Sequence, residues 1–222
     1  MLLTSGSAGG SITSGYEITA GAQSPIYGSS STGQTPSGYT TYISASRDDG
    51  NFNHYHPTVP FTINNTNFTR TYIGSNNYVT WGSGQNTYSG YTFSSWGVPK
   101  LLLTMTSDNS YQYVTARTFG SDYFRVRFEG NASTSGTVGQ GNIVWEMTIF
   151  NSSVTPNGFG MIEVRVGSNG RGTGYTMGIG NTSSAYASHS SLVNNSVVYR
   201  ANNSSGTSWT YFLGYHVSGY TG

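Results

Sequence analysis

The chain has 222 residues, of which 8% are charged, with a formal net charge of +1 and no cysteine. That balance sets up no long-range field for nucleic acid or an anionic membrane, and no Lys/Arg run of the kind that marks a nucleic-acid interface occurs. Disulfides, thiolate metal sites and thiol nucleophiles are excluded, and no stretch approaches the roughly 18 apolar residues of a membrane-spanning helix. Solubility must come from hydroxyls and amides: Gly occurs 31 times and Tyr 18 times amid abundant Ser, Thr and Asn. Gly, Asn and Ser serve turns, while Thr and Tyr serve strands.

Residues 1–50 are a Gly/Ser/Thr-rich stretch with apolar residues in ones and twos. By composition it cannot bury enough surface to offset its ordering entropy. It is expected to be a weakly structured N-terminal arm, either flexible or extended and ordering on a partner or subunit, with a short edge strand on the main domain as the plainer alternative and short strands at 16–19 and 39–44. The compact domain is expected over residues 51–222. Strands are predicted at 59–63, 68–73, 78–81, 101–106 and 111–118 from short apolar or alternating runs between turn residues. Residues 85–99 form an aromatic-studded loop.

The clearest pattern lies at residues 122–150. Phe124, Val126 and Phe128 alternate with Tyr123, Arg125, Arg127 and Glu129, and after a polar loop Ile143, Trp145, Met147 and Ile149 alternate with Val144, Glu146, Thr148 and Phe150. Strict period two predicts two antiparallel strands with one buried and one solvent-facing side. Further strands are predicted at 161–166, 197–201 and 209–213, with 175–195 irregular. Short strands at this spacing and no convincing helix predict an all-β, antiparallel sandwich or jelly-roll-like domain.

Chemistry-bearing candidates are few. Glu146 and Glu163 sit on predicted strands and would be the acid–base pair of a polysaccharide depolymerase if they faced each other across a groove; solvated or salt-bridged strand residues are the plainer expectation. His54 and His56, at i and i+2, would fall on one strand face and are the best of the weak metal candidates; Asp49, Asn51 and Asn53 carry a fragment of a calcium-loop pattern, with an Asx-rich turn the plainer expectation. No catalytic residue and no cofactor are expected. Tyr88, Tyr91, Phe93 and Trp96 crowd the 85–99 loop. Such rings serve a saccharide or protein interface, or tuck into the domain's own core.

Several runs resemble a domain recurrent in virion structural proteins of tailed phages, especially those infecting cyanobacteria. They are Ser75–Gly82, Asp108–Gln112, Arg125–Gly130 and Val144–Glu146, within residues 59–172. The resemblance implies a non-enzymatic tail-fibre-like, appendage or capsid-decoration subunit, assembled in the host cytoplasm and displayed on the particle exterior. Its implied partners are other virion proteins, further copies of itself (a trimer is plausible) and, through exposed loops, host-surface polysaccharide. Arg125, Arg127, Glu129 and Glu146 would form a cross-strand charge patch used as scaffold and subunit contact. A stand-alone lectin-like module is the alternative. The chain lacks the long shaft of a tail fibre, which favours a short appendage or decoration subunit.

Overall fold

The computed structural model describes residues 15–43, 48–88, 91–103, 110–132, 142–170 and 172–220. The start of the arm, most of the 130–142 loop and the end of the 101–106 run lie outside these residues. Among the described residues there are seventeen strands and one short 3-10 turn, so the chain is an all-β sandwich.

Numbered in chain order, seven strands build the larger sheet: β2 (Thr40–Ile43), β9 (Ser110–Phe119), β10 (Tyr123–Asn131), β11 (Ile143–Phe150), β12 (Met161–Asn169), β15 (Asn195–Ala201) and β16 (Trp209–Leu213). Their order across the sheet is β16-β15-β12-β11-β10-β9-β2. Six strands build the smaller sheet: β3 (Asn51–Tyr55), β6 (Arg70–Gly74), β7 (Tyr78–Thr80), β8 (Lys100–Leu102), β13 (Thr176–Gly180) and β14 (Ala185–Ser190), in the order β14-β13-β8-β7-β6-β3. Two small ribbons complete the set: β1 (Glu17–Ala20) with β17 (Tyr215–Ser218), and β4 (Phe61–Ile63) with β5 (Thr66–Phe68).

Sequence period dictates the core. Phe124, Val126 and Phe128 meet Ile143, Trp145, Met147 and Ile149 on one face of the larger sheet, and pack against Ile73, Val79, Leu101 and Ile179 from the smaller one. Phe128 and Trp145 stack with ring centroids 4.9 Å apart, and the Trp145 indole N–H donates to Asn77 Oδ1 at 3.1 Å. Buried indoles need such a partner.

Two expectations are corrected. Residues 175–195 contain β13 and β14; Met177 and Ile179 of β13 face the core, and between them and beside them Gly178 and Gly180, residues depleted in strands, make the run read as loop. Nor is the second side of β10 and β11 solvent-facing: every residue of both strands is buried. The centre of the larger sheet is covered on both faces.

The second cover comes from the chain ends. At one end of the sheet, Tyr123, Phe150, Met161 and Val198 form an apolar cluster with Val217, flanked by Tyr16, Ile18 and Tyr220 from the β1–β17 ribbon. At the other end, residues 23–33 cross over the charged positions of β10, β11 and β12. Over the described residues 15–43, the segment expected as an extended arm is thus tied to the sandwich, and β2 extends the larger sheet as its edge strand. The composition is as poor in apolar residues as the sequence suggests. Hydrogen bonds to buried carboxylates supply the attachment instead.

Candidate functional site: a buried charge network and its neighbours

Period two on β10 puts Arg125, Arg127 and Glu129 on one face, and the register sets Arg127 directly opposite Glu146, which in turn faces Arg165. Arg127 Nη1 donates to Glu146 Oε1 at 3.0 Å, and its Nε donates to Glu129 Oε1 at 2.9 Å. Its two terminal nitrogens also donate to the carbonyls of Gly28 (3.0 Å) and Ser30 (3.1 Å). All three side chains are at most 2% exposed.

The remaining carboxylate lone pairs are taken by the backbone of residues 26–33, hereafter the strap. The Ile26 N–H donates to Glu146 Oε2 at 2.6 Å and the Tyr27 N–H to Oε1 at 3.1 Å. The Thr32 and Gly33 N–H groups donate to Glu129 Oε2 at 3.0 and 2.9 Å, and the Ser31 hydroxyl joins them at 2.8 Å. Charge-assisted bonds of this kind are short and about twice as strong as neutral ones. Gly167 permits the approach, since a Cβ there would clash with the Ser29 backbone, whose carbonyl accepts from the Ser168 N–H at 2.9 Å.

Glu163 repeats the device on β12. It accepts from Arg165 Nε and the Val217 N–H, both at 3.0 Å, and from the Tyr220 hydroxyl. Burial and the adjacent Glu163 carboxylate push the Tyr220 hydroxyl above its ordinary pKa. Arg125 takes a different route: its Nε donates to Thr148 Oγ1 at 2.9 Å, and its guanidinium lies among the rings of Phe119, Tyr123 and Tyr220 at 5.1–5.6 Å. The expected charge patch is therefore internal: Arg127, Glu129 and Glu146 form a lock covered by the protein's own N-terminal segment. Period two cannot distinguish a face open to water from one covered by a distant segment.

Glu146 and Glu163 do not face each other across a groove. They lie on adjacent strands, each buried and hydrogen-bonded to its own arginine and backbone amides. A pocket lined by Tyr27, Thr32, Gln34, Thr35, Pro36 and Arg127 beside the strap measures about 160 Å³, below the ~300–1,000 Å³ of ordinary ligand sites.

His54 and His56 do share a face, but it is the core face. His54 is hydrogen-bonded to the Tyr42 hydroxyl at 2.7 Å and to Thr118 Oγ1 at 2.9 Å. His56 Nδ1 donates to the Val59 carbonyl at 2.8 Å, and its Nε2 pairs with Thr71 Oγ1 at 2.9 Å. With Nδ1 carrying the proton donated to Val59, Nε2 of the neutral ring accepts from the Thr71 hydroxyl, whose oxygen accepts from the Trp81 indole at 3.0 Å. All four ring nitrogens are used, and among the described residues no group of three or more His, Cys, Asp or Glu could hold a metal.

The aromatic loop folds onto the outer face of the smaller sheet. Tyr91 is buried on Tyr78, with Trp96 packed against both and Leu102 beneath. Phe93 is half-buried in the same cluster. Lys100 Nζ fastens the loop by donating to the Phe93 and Asn181 carbonyls at 2.6 and 3.1 Å. Of the four candidate rings only Tyr88, 51% exposed, is offered to solvent. Ring content alone could not reveal this, because the platform beneath the loop is made by the β7–β8 register, which sets Tyr78 opposite Leu102.

These features define a sandwich whose buried carboxylates, Glu129, Glu146 and Glu163, tie down its own N- and C-terminal segments. Against family models, curated proteins and solved structures, no match to the chain was found.

Proposed function

We propose that the chain is a non-enzymatic structural subunit of a tailed-phage virion, displayed on the particle exterior as a short appendage or capsid decoration. The observation that carries this reading is the buried network of Arg127, Glu129 and Glu146, which fastens residues 26–33 across the sheet. An isolated particle subunit exposed to proteases gains from having its polar N-terminal segment fixed. The phage-like runs at Ser75–Gly82, Arg125–Gly130 and Val144–Glu146 supply the assignment to virions. Density-purified particles should contain this chain in a fixed ratio to the major capsid protein by peptide mass spectrometry. Its absence from such particles, while present in the lysate that yields them, would contradict the reading.

Assembly with further copies has a specific candidate surface. β16 is an edge of the larger sheet and its five residues, WTYFL, contain neither charge nor proline. Tyr211 and Leu213 on it are 39% and 46% exposed. An uncharged, proline-free edge is a ready template for pairing with another chain, and a second copy of β16 is the self-complementary occupant. Leu213→Lys should shift the purified protein from oligomer to monomer in sedimentation velocity. A wild-type protein that is monomeric at high concentration, or a variant that stays oligomeric, would remove β16 as the contact.

A further inference from the structure

The outer face of the smaller sheet is not wholly covered by the aromatic loop. Its corner at β3 and β6 stays open, and the register places Tyr55 opposite Arg70 and Asn53 opposite Tyr72 on that corner. Tyr55 is 57% exposed, the most of any large apolar side chain among the described residues. Asn53 and Arg70 are exposed and Tyr72 is half-exposed. The corner is bounded by the start of the loop, where Asn51 Nδ2 donates to Asn86 Oδ1 at 2.5 Å. Gly84 makes this close approach possible: a Cβ there would collide with the Asn51 side chain and press on the Tyr72 ring.

Arg70 stands apart from the other cations. Among the described residues it is the one exposed Lys or Arg side chain; Lys100, Arg117, Arg125, Arg127, Arg165 and Arg200 are buried or half-buried. It takes part in none of the ion pairs formed by the described residues. Its guanidinium carbon lies 5.5 Å from the centroid of the Tyr55 ring, a cation–π contact that holds the fork in place while leaving its N–H groups to solvent. In a chain that internalises its charge, an exposed guanidinium set on an exposed ring is a recognition element for an anion attached to a stackable body.

We propose that Asn53, Tyr55, Arg70 and Tyr72 form a shallow binding site for an anionic saccharide, a uronate or sulfated sugar unit of a surface polysaccharide. Sugar C–H faces stack on the tyrosine rings, the Asn53 amide bonds hydroxyls, and the Arg70 fork takes the carboxylate or sulfate in a two-point contact. The open, shallow form suits an internal segment of a long chain rather than a small free ligand. The site goes beyond the virion assignment and does not depend on it: particle mass spectrometry tests display, and the binding measurement tests this site.

Calorimetric titration of the full chain with oligogalacturonate, with a sulfated galactan oligosaccharide and with their carboxyl-reduced and desulfated counterparts reads the proposal. At least one anionic probe should bind, weaken as salt screens the contact, and lose about tenfold or more of its affinity in Arg70→Gln, equivalent to ~1.4 kcal/mol. Tyr55→Ala should lose binding to a similar degree. The side chains are exposed, so both variants should melt with the wild type, which separates lost binding from lost fold. Which of the two anionic probes binds distinguishes uronate from sulfate recognition. Failure of both anionic probes to bind, equal affinity for a neutral counterpart, or unchanged binding by both variants would overturn the site.

Discussion

Arg127→Ala is expected to destabilise the protein by about 3–5 kcal/mol and to free residues 26–33 from the sheet. Removing one partner of a buried ion pair leaves the other charge uncompensated, and here two carboxylates, Glu129 and Glu146, would share the loss. The Gly28 and Ser30 carbonyls would lose their donor at the same time. Urea unfolding should show the drop in midpoint, and limited proteolysis should cut within the strap before the sandwich. Replacing buried ion groups wholesale by apolar residues is often harmless, but that escape is closed in this protein. The amides of Ile26, Tyr27, Thr32 and Gly33 depend on the two carboxylates as acceptors, and part-buried amides left without an acceptor carry a cost of their own. A variant with Arg127, Glu129 and Glu146 all replaced by apolar residues should therefore also lose strap protection.

Acid should destabilise the fold well before general carboxylate titration. Burial lowers His54 to about 4, with neighbouring His56 acting in the same direction, and burial lowers His56 to about 4. Both start from an ordinary value near 6.5. Above pH 6.5 the two histidines are neutral in folded and unfolded chains alike and contribute no pH dependence. Between about 6.5 and 4 the unfolded chain takes up protons that the folded chain refuses, so stability falls as the pH falls, and the loss is complete below about 4. The ceiling is on the order of 3 kcal/mol for each histidine. The physical reason is visible at His56: its ring is fully buried and stacked on Phe124 with centroids 4.0 Å apart, so a second proton would place an uncompensated cation in the core. His189, also lowered by burial, adds to the same slope. Urea midpoints at pH 7 and pH 4.5 should differ steeply, and His54→Gln with His56→Gln should flatten the difference. A wild-type stability that is level across this interval would contradict the neutral, buried assignment.

The sandwich and its central strands could be read from the sequence because period two is strict where one face meets a large core, as from Phe124 to Phe128 and from Ile143 to Ile149. What covers the opposite face could not. Arg127, Glu129 and Glu146 carry the signature of a wet surface, and the segment that buries them, residues 23–33, has almost no apolar residues to announce packing. Its attachment runs through backbone N–H groups, which every non-proline residue carries and no side-chain pattern records. The same limit hid the lid formed by Tyr91, Phe93 and Trp96: rings that fold back onto Tyr78 look identical in sequence to rings offered to a ligand. The Tyr55–Arg70 corner was missed for a related reason. Its members are fifteen residues apart and become neighbours only through the β3–β6 register; the one available signal was an arginine in a strand otherwise free of charge. The two histidines at i and i+2 were correctly placed on a common face, but that face is the core, and Phe52 beside them was the clue to its direction.

Amide hydrogen exchange at Ile26, Tyr27, Thr32 and Gly33 tests most directly whether the charged face is an internal lock on the N-terminal segment. These amides are expected to exchange as slowly as neighbouring strand amides of β1 and β2 or slower, and to lose that protection in Arg127→Ala. Exchange at the rate of an unstructured peptide in the wild-type chain would contradict it.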